Sequence, residues 1–281
     1  MDRPLPTSGT TIQTPSDHIG GLTMPDSYYR SLGEDSFEST IHAQGAWNPE
    51  EQHMAPAAGL LAHCLERCSP RPDLRMARLS FDILGMIPGG TFDVLVKVIR
   101  PGKTIELLEA EMVSGGRTVI RAKAWRLAKA DSAEVAAIED TPMPGPDQAG
   151  PFSEMTAWPG GYIESLEFRV VQGHRPGRGR VWIRTPHQMV EGIPTADLVR
   201  LIGLIDTANG VSARVPPGPG SWMFPNLDLQ VHLYREPQGE WLGLETSVSF
   251  GTDGIGLTSA VLHDTTGPFG RAEQILTIRK L

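Results

Sequence analysis

One succession of patterns occurs twice in this chain, and it limits the fold more than any other feature. In the first occurrence, Ala57, Leu60, Leu61, Cys64, Leu65 and Cys68 recur at spacings of three and four behind Pro56, which marks one buried face of a helix. Short strand candidates, Tyr28 to Leu32 and Phe37 to His42, precede it. Longer ones follow: Arg75 to Leu84, Thr91 to Arg100, Ile105 to Val113 and Thr118 to Leu127, with Pro101-Gly102 and Gly115-Gly116 as turns. In the second occurrence Leu166 to Val171 and Arg180 to Arg184 come first. A helix then carries the stripe Leu198, Leu201, Ile202 and Ile205, with Thr195 as its expected N-cap, Asp197 in its first turn and Asn209-Gly210 as its stop. Leu227 to Arg235, Glu240 to Phe250, Gly256 to Asp264 and Gly270 to Arg279 complete the set. Strands that follow strands, with one helix per set, give an α+β class.

The two sets align residue by residue. Phe81-Asp82-Ile83 parallels Leu229-Gln230-Val231 at an offset of 148 (229 − 81), and Arg121-Ala122-Lys123-Ala124 parallels Arg271-Ala272-Glu273-Gln274 at 150 (271 − 121). Two copies of one module are therefore expected: residues 28–130 and 161–281, joined by a linker at 131–160 rich in Ala, Asp, Glu and Pro, behind a mobile tail at 1–27. A helix followed by a curved antiparallel sheet, duplicated, is the layout of a double hotdog; a plain α+β sandwich is the alternative.

Composition removes several functions. With 25 Lys and Arg against 33 Asp and Glu, the net charge is −8, which opposes a nucleic-acid surface or an anionic membrane face. No apolar run reaches the length of a membrane span, and the first 25 residues are polar, so a cytoplasmic protein is expected. Cys64 and Cys68 sit four apart on one helix face, as buried thiols rather than a disulfide, and the histidines show no ligand spacing. No metal and no cofactor are expected; a dinucleotide turn, a P-loop and a Gly-x-Ser-x-Gly elbow are all missing.

The stretch Pro225-Asn226-Leu227-Asp228-Leu229-Gln230-Val231-His232-Leu233-Tyr234-Arg235 runs into Gly239-Glu240-Trp241-Leu242. It is similar to the Asp-(six residues)-Arg segment and following Trp-Leu strand of the acyl-CoA thioesterase II (TesB-like) family. Gly270-Arg271-Ala272-Glu273-Gln274 resembles that family's last strand, which carries a Gln. Gly45-Ala46-Trp47-Asn48-Pro49, with His53 and Pro56, looks like the helix entry of actinobacterial thioesterase-like proteins, except that Met54-Ala55 stands where Gly-Gly is frequent. The resemblance spans residues 28 to 281 and implies hydrolysis of a fatty acyl-CoA to free acid and CoA. It also implies a polar trio that orients the attacking water, falling on Asp228, Ser249 and Gln274, with Ser247 and Thr246 as alternatives for the hydroxyl.

The chemistry suits such a trio. A thioester is already activated, so a carboxylate acting as base toward a positioned water suffices, with a helix N-terminal amide as oxyanion donor. Counting back by the repeat offsets, Asp228 falls on Ser80 and Gln274 on Ala124, so the polar pair belongs to the second copy alone. His53, Asp206 and Asn209 are further candidates for contact with substrate, Asp206 because an acid at a helix C-terminus opposes the dipole. His232, four residues after Asp228, would share its face. A non-catalytic acyl-CoA-binding protein and a hotdog enoyl-CoA hydratase are the alternatives. Uncovered strand edges and faces lead to an expected homo-oligomer, a symmetric dimer of double hotdogs.

Overall fold

The computed structural model describes residues 26–216 and 220–280. The expected mobile tail lies outside them except for its last two residues, of which Ser27 is buried in the first strand. In the first half the strands are β1 (Ser27–Ser31), β2 (Ser36–Ser39), β3 (Leu74–Ile83), β4 (Thr91–Arg100), β5 (Ile105–Ser114) and β6 (Arg117–Ala128), with helix α1 (Met54–Arg67) between β2 and β3. The second half has β7 (Glu167–Val170), β8 (Arg178–Arg184), helix α2 (Asp197–Ile205), β9 (Asp228–Leu233), β10 (Leu242–Phe250), β11 (Ile255–Asp264) and β12 (Gly267–Thr277).

The halves repeat each other in space. Their strand orders are β1-β2-β4-β5-β6-β3 and β7-β8-β10-β11-β12-β9, and antiparallel pairing of β3 with β9 fuses them into one sheet of 14 strands, counting a short strand at each edge. The pairs Ala110–Ala122 and Ala260–Ala272, like Val96–Ala110 and Thr246–Ala260, stand at one offset of 150 (260 − 110). The pair Ser80–Lys123 matches Gln230–Glu273 at the same offset, so the 148 expected at this strand is corrected to 150. The Asp228 position thus answers to Arg78 rather than Ser80. A slip of two residues keeps the same face outward, which is why the sequence pattern tolerates it.

Each helix packs its apolar stripe against its own strands, and the two helices also pack on each other. They meet at glycines: a Cβ added to Gly59 would lie 2.9 Å from the Gly203 Cα. The close approach sets the N-terminus of α1 beside the C-terminus of α2. Cys64 and Cys68 are free thiols, and burial pushes the Cys64 thiol up to about 12.

Two local features differ from the sequence reading. Ala196, not Thr195, is the N-cap of α2; the Thr195 hydroxyl is engaged by the Met189 amide (2.7 Å) and Gln188 Oε1 (2.8 Å). The Pro-rich segment 131–160 is not a bare spacer. It buries Met143, Phe152, Met155 and Trp158, and its Gly150–Pro151 pairs with β7.

Candidate active site

The site forms where α2 ends. Asp206 is the C-cap of that helix, 6% exposed, and Gln274 points inward from β12 at 1% exposed. Asn226 precedes β9. Gln274 Nε2 and Asn226 Nδ2 both donate to Asp206 Oδ1, each at 2.7 Å. Two amides on one oxygen fix the carboxylate plane and leave Oδ2 without a hydrogen bond, 3.7 Å from His53 Nδ1. Asn209 Nδ2 donates to the Phe224 carbonyl at 2.9 Å, which ties the loop carrying Asn226 to the end of α2. Trp47, His53, Trp158, Asp206, Asn209 and Asn226 line a narrow cavity of about 50 Å³. Trp47, Trp158 and Phe224 meet edge to face with ring centroids 5.3 to 6.0 Å apart, so aromatic packing supports one side of the cavity, opposite the polar groups at the end of α2.

Burial sets the electrostatics. It raises the Asp206 carboxyl to about 6, against the lowering effect of the Asn226 and Gln274 amides. A carboxylate in that range suits a general base near neutral pH. Burial also lowers the His53 imidazole to about 3, so the ring is neutral. His53 is the N-cap of α1, its Nδ1 accepting from the Ala55 amide at 3.0 Å.

Of the sequence-predicted trio, only Gln274 stands here. Asp228 lies on the outer face of the sheet, opposite to the inward Leu229, Val231 and Leu233. Its carboxylate accepts from the Ile275 amide (2.8 Å) and Gln230 Nε2 (3.2 Å). Ser249 and Ser247 are exposed on the outer face of β10, while Thr246 is buried on the inner one. His232 is exposed. The structure therefore places Asp228 and Ser249 on the opposite face of the sheet from Gln274, bonds Gln274 to Asp206, and sets His53 and Asn209 beside Asp206 along the cavity.

Asn226 was missed, and the reason is a bulge. The bridge Asn226–Leu276 and the pair Gln230–Glu273 differ in register by one residue. Leu227, 49% exposed, and Asp228 consequently both face outward, and Asn226 turns in. Strict alternation would have put Asn226 and Asp228 on one face. Among the described residues, no three or more His, Cys, Asp or Glu are grouped to hold a metal.

The comparisons agree with this layout. No curated protein sequence matches the chain. A conserved protein of unknown function with a hot dog fold from Alicyclobacillus acidocaldarius superposes with a TM-score of 0.72 at 13% identity, covering 90% of this chain and 97% of its own. The acyl-CoA thioesterase II TesB2 of Mycobacterium marinum gives 0.65 at 16%, covering 90% and 95%. A tesB protein of Mycobacterium avium subspecies paratuberculosis gives 0.61 at 15%, covering 89% and 95%. At these identities the likeness establishes the hotdog fold. Two family descriptions then match in succession, the acyl-CoA thioesterase N-terminal domain over residues 43–127 and the acyl-CoA thioesterase C-terminal domain over residues 139–278. By these two matches the chain belongs to the acyl-CoA thioesterase family.

Proposed function

We propose that this double hotdog hydrolyses an acyl-CoA to free acid and CoA, with Asp206 as general base and Gln274 and Asn226 as the groups that hold it. The observation that carries the reading is the pair of 2.7 Å amide bonds to Asp206 Oδ1, which leave Oδ2 directed at the cavity. A water on Oδ2 loses its proton as it adds to the thioester carbonyl carbon. Collapse of the tetrahedral intermediate breaks the C–S bond, and the proton on Asp206 passes to the departing sulfur. No covalent intermediate is needed, and most of the rate comes from placing the water. The hydroxyl that the resemblance implied at Ser249, Ser247 or Thr246 is not at Asp206; the Asn226 amide takes the role proposed for it and orients the carboxylate.

Free-thiol release from acyl-CoAs of graded chain length tests the reading, with Asp206→Asn as the control. Turnover is expected for at least one chain length, falling by about 10²–10⁴-fold in the variant. Full turnover in the variant would move the base elsewhere. Binding of acyl-CoA without thiol release across the series would make the chain an acyl-CoA-binding protein.

We also propose a symmetric homodimer. Leu95, Ile99, Ile105, Leu127, Leu257 and Ile275 are exposed on the outer face of the sheet, an apolar surface suited to a second copy. Light scattering at micromolar concentration is expected to give twice the chain mass; a monomer mass would reject the assembly. Among the described residues, no helix is long and apolar enough to cross a membrane.

A further inference from the structure

We infer that His53 is an oxyanion donor of this site: its Nε2–H meets the charge that develops on the thioester carbonyl oxygen. The inference rests on the hydrolytic reading above and assigns a role that the reading leaves open.

An inventory of N–H groups leads to it. The first turn of a helix ordinarily presents free amides to an anion. At the start of α1 they are largely engaged. The His53 amide donates to the Ala43 carbonyl at 2.8 Å, and the Ala55 amide donates to His53 Nδ1 at 3.0 Å. Residue 56 is proline and has no N–H. Of this turn, the Met54 amide alone lacks a protein partner among the described residues. Beyond the Met54 amide this turn leaves no backbone donor open, so a second oxyanion donor has to come from a side chain.

The bond that engages Ala55 also sets the tautomer of His53. A ring nitrogen that accepts a hydrogen bond carries no proton, so in the neutral ring the proton is on Nε2. Burial keeps the ring neutral down to about pH 3. A neutral N–H stabilises an oxyanion without surrendering its proton to it. The ring is also fixed. It lies on Tyr162, with centroids 4.5 Å apart and planes tilted by 34°. Tyr162 is itself held by its hydroxyl donating to the Gly203 carbonyl at 2.7 Å. With Nδ1 at 3.7 Å from Asp206 Oδ2, donor and base share one cavity wall.

The step balances. Water adds to the carbonyl carbon and its proton goes to Asp206 Oδ2, while the carbonyl oxygen takes the negative charge and accepts from His53 Nε2–H. The carbonyl re-forms as the C–S bond breaks, and the proton on Asp206 goes to sulfur. His53 ends as it began.

The test uses His53→Ser and His53→Gln in the full chain. Serine keeps an oxygen that can cap the helix but removes the donor; glutamine restores an amide N–H. For His53→Ser, kcat is expected to fall by about 10²–10³-fold with KM changed by no more than about threefold, and His53→Gln should recover part of the loss. Nitrogen-15 NMR of the unchanged protein should place the imidazole proton on Nε2. A folded His53→Ser protein with kcat within about threefold of normal overturns the inference, as does a loss confined to KM. A proton found on Nδ1 overturns it as well, whether or not the variants fold. If Asp206→Asn is inactive and His53→Ser is active, the hydrolytic reading stands and this inference alone falls. If the unchanged protein releases no thiol, both fall.

Discussion

Where α1 ends, Arg126 reaches from β6 and donates to the carbonyls of Leu65, Glu66, Cys68 and Ser69, while its guanidinium pairs with buried Glu106 at 3.1 Å. Where α2 ends, no such clamp exists. The strand positions of Glu106 and Arg126 are held by Gly256 and Leu276, and Asp206 occupies the helix end. Counted from the paired glycines, Asp206 stands at the position of Ala62; by the strand offset of 150, Asn226 stands at Met76 and Gln274 at Ala124. One copy thus closes its helix end with a cation and keeps an apolar interior. The other leaves an acid at the negative end of a helix dipole, an arrangement that opposes ionisation and supports the proposed role of Asp206 as base.

The largest expected effect comes from erasing that contrast at Asp206. The folded carboxyl has its pKa raised above the unfolded value, so the folded state binds the extra proton between about pH 4 and 6. Ionised Asp206 therefore destabilises the fold above about pH 6, and the penalty is relieved as pH falls through that value. Asp206→Asn should therefore cut turnover by about 10²–10⁴-fold and at the same time stabilise the protein above pH 6, by up to ~2–3 kcal/mol. Asparagine Oδ1 can still accept from both amides. Urea unfolding of the two proteins at pH 5 and pH 8 checks this, since the gain should shrink at the lower pH. The same titration predicts that thiol release in the unchanged protein falls as pH drops below about 6.

The converse change acts on the clamp. Arg126→Leu, which copies Leu276, leaves buried Glu106 with only the longer contact to Arg71 Nη1 at 4.0 Å and frees the carbonyls at the end of α1. Losing one member of a buried pair typically costs about 3–5 kcal/mol. Adding Glu106→Gln should restore part of the stability, because the stranded charge is gone. Turnover per folded molecule should hold, since the clamp belongs to the other copy. If denaturant midpoints of the single and double variants coincide, the pair carries no such weight.

How much of this was legible in the sequence follows from where the chain is regular. Alternation located every long strand to within a few residues, and the stripes located both helices, because buried faces repeat with the period of the backbone. The inward placement of Gln274 was legible for the same reason: it falls on the inward parity of β12 and answers to an alanine in the other copy. Asp206 was legible as an acid at the wrong end of a helix. Asn226 and Asp228 were exchanged because the bulge between them changes face without changing composition. Ser249 failed by ordinary parity, since a strand rich in hydroxyls does not say which of them turns in. The Trp158 side of the cavity was hidden because a Pro-rich segment reads as spacer until its few large side chains find a surface.

The smallest expected effect lies deeper under the same sheet. Gln274 Oε1, Thr258 Oγ1, Thr246 Oγ1 and Ser212 Oγ are buried and have no hydrogen-bond partner in the protein. Thr258 is paired with Gln274, Thr246 lies on the next strand, and Ser212 packs over Gly179, the partner of Thr246. The matching positions of the first copy are Ala124, Leu108, Val96 and Cys68, an apolar row. An unsatisfied hydroxyl in such a place costs about 1–3 kcal/mol, whereas an apolar isostere costs little. Thr258→Val and Thr246→Val should therefore each stabilise the second copy by about 1 kcal/mol, making its interior more like that of the first. Thr258 adjoins Gln274, so its change should also slow thiol release more than the change at Thr246. Equal kinetics for the two valine variants, measured beside their melting temperatures, would show that the row is a relic of packing and that the site ends at Gln274.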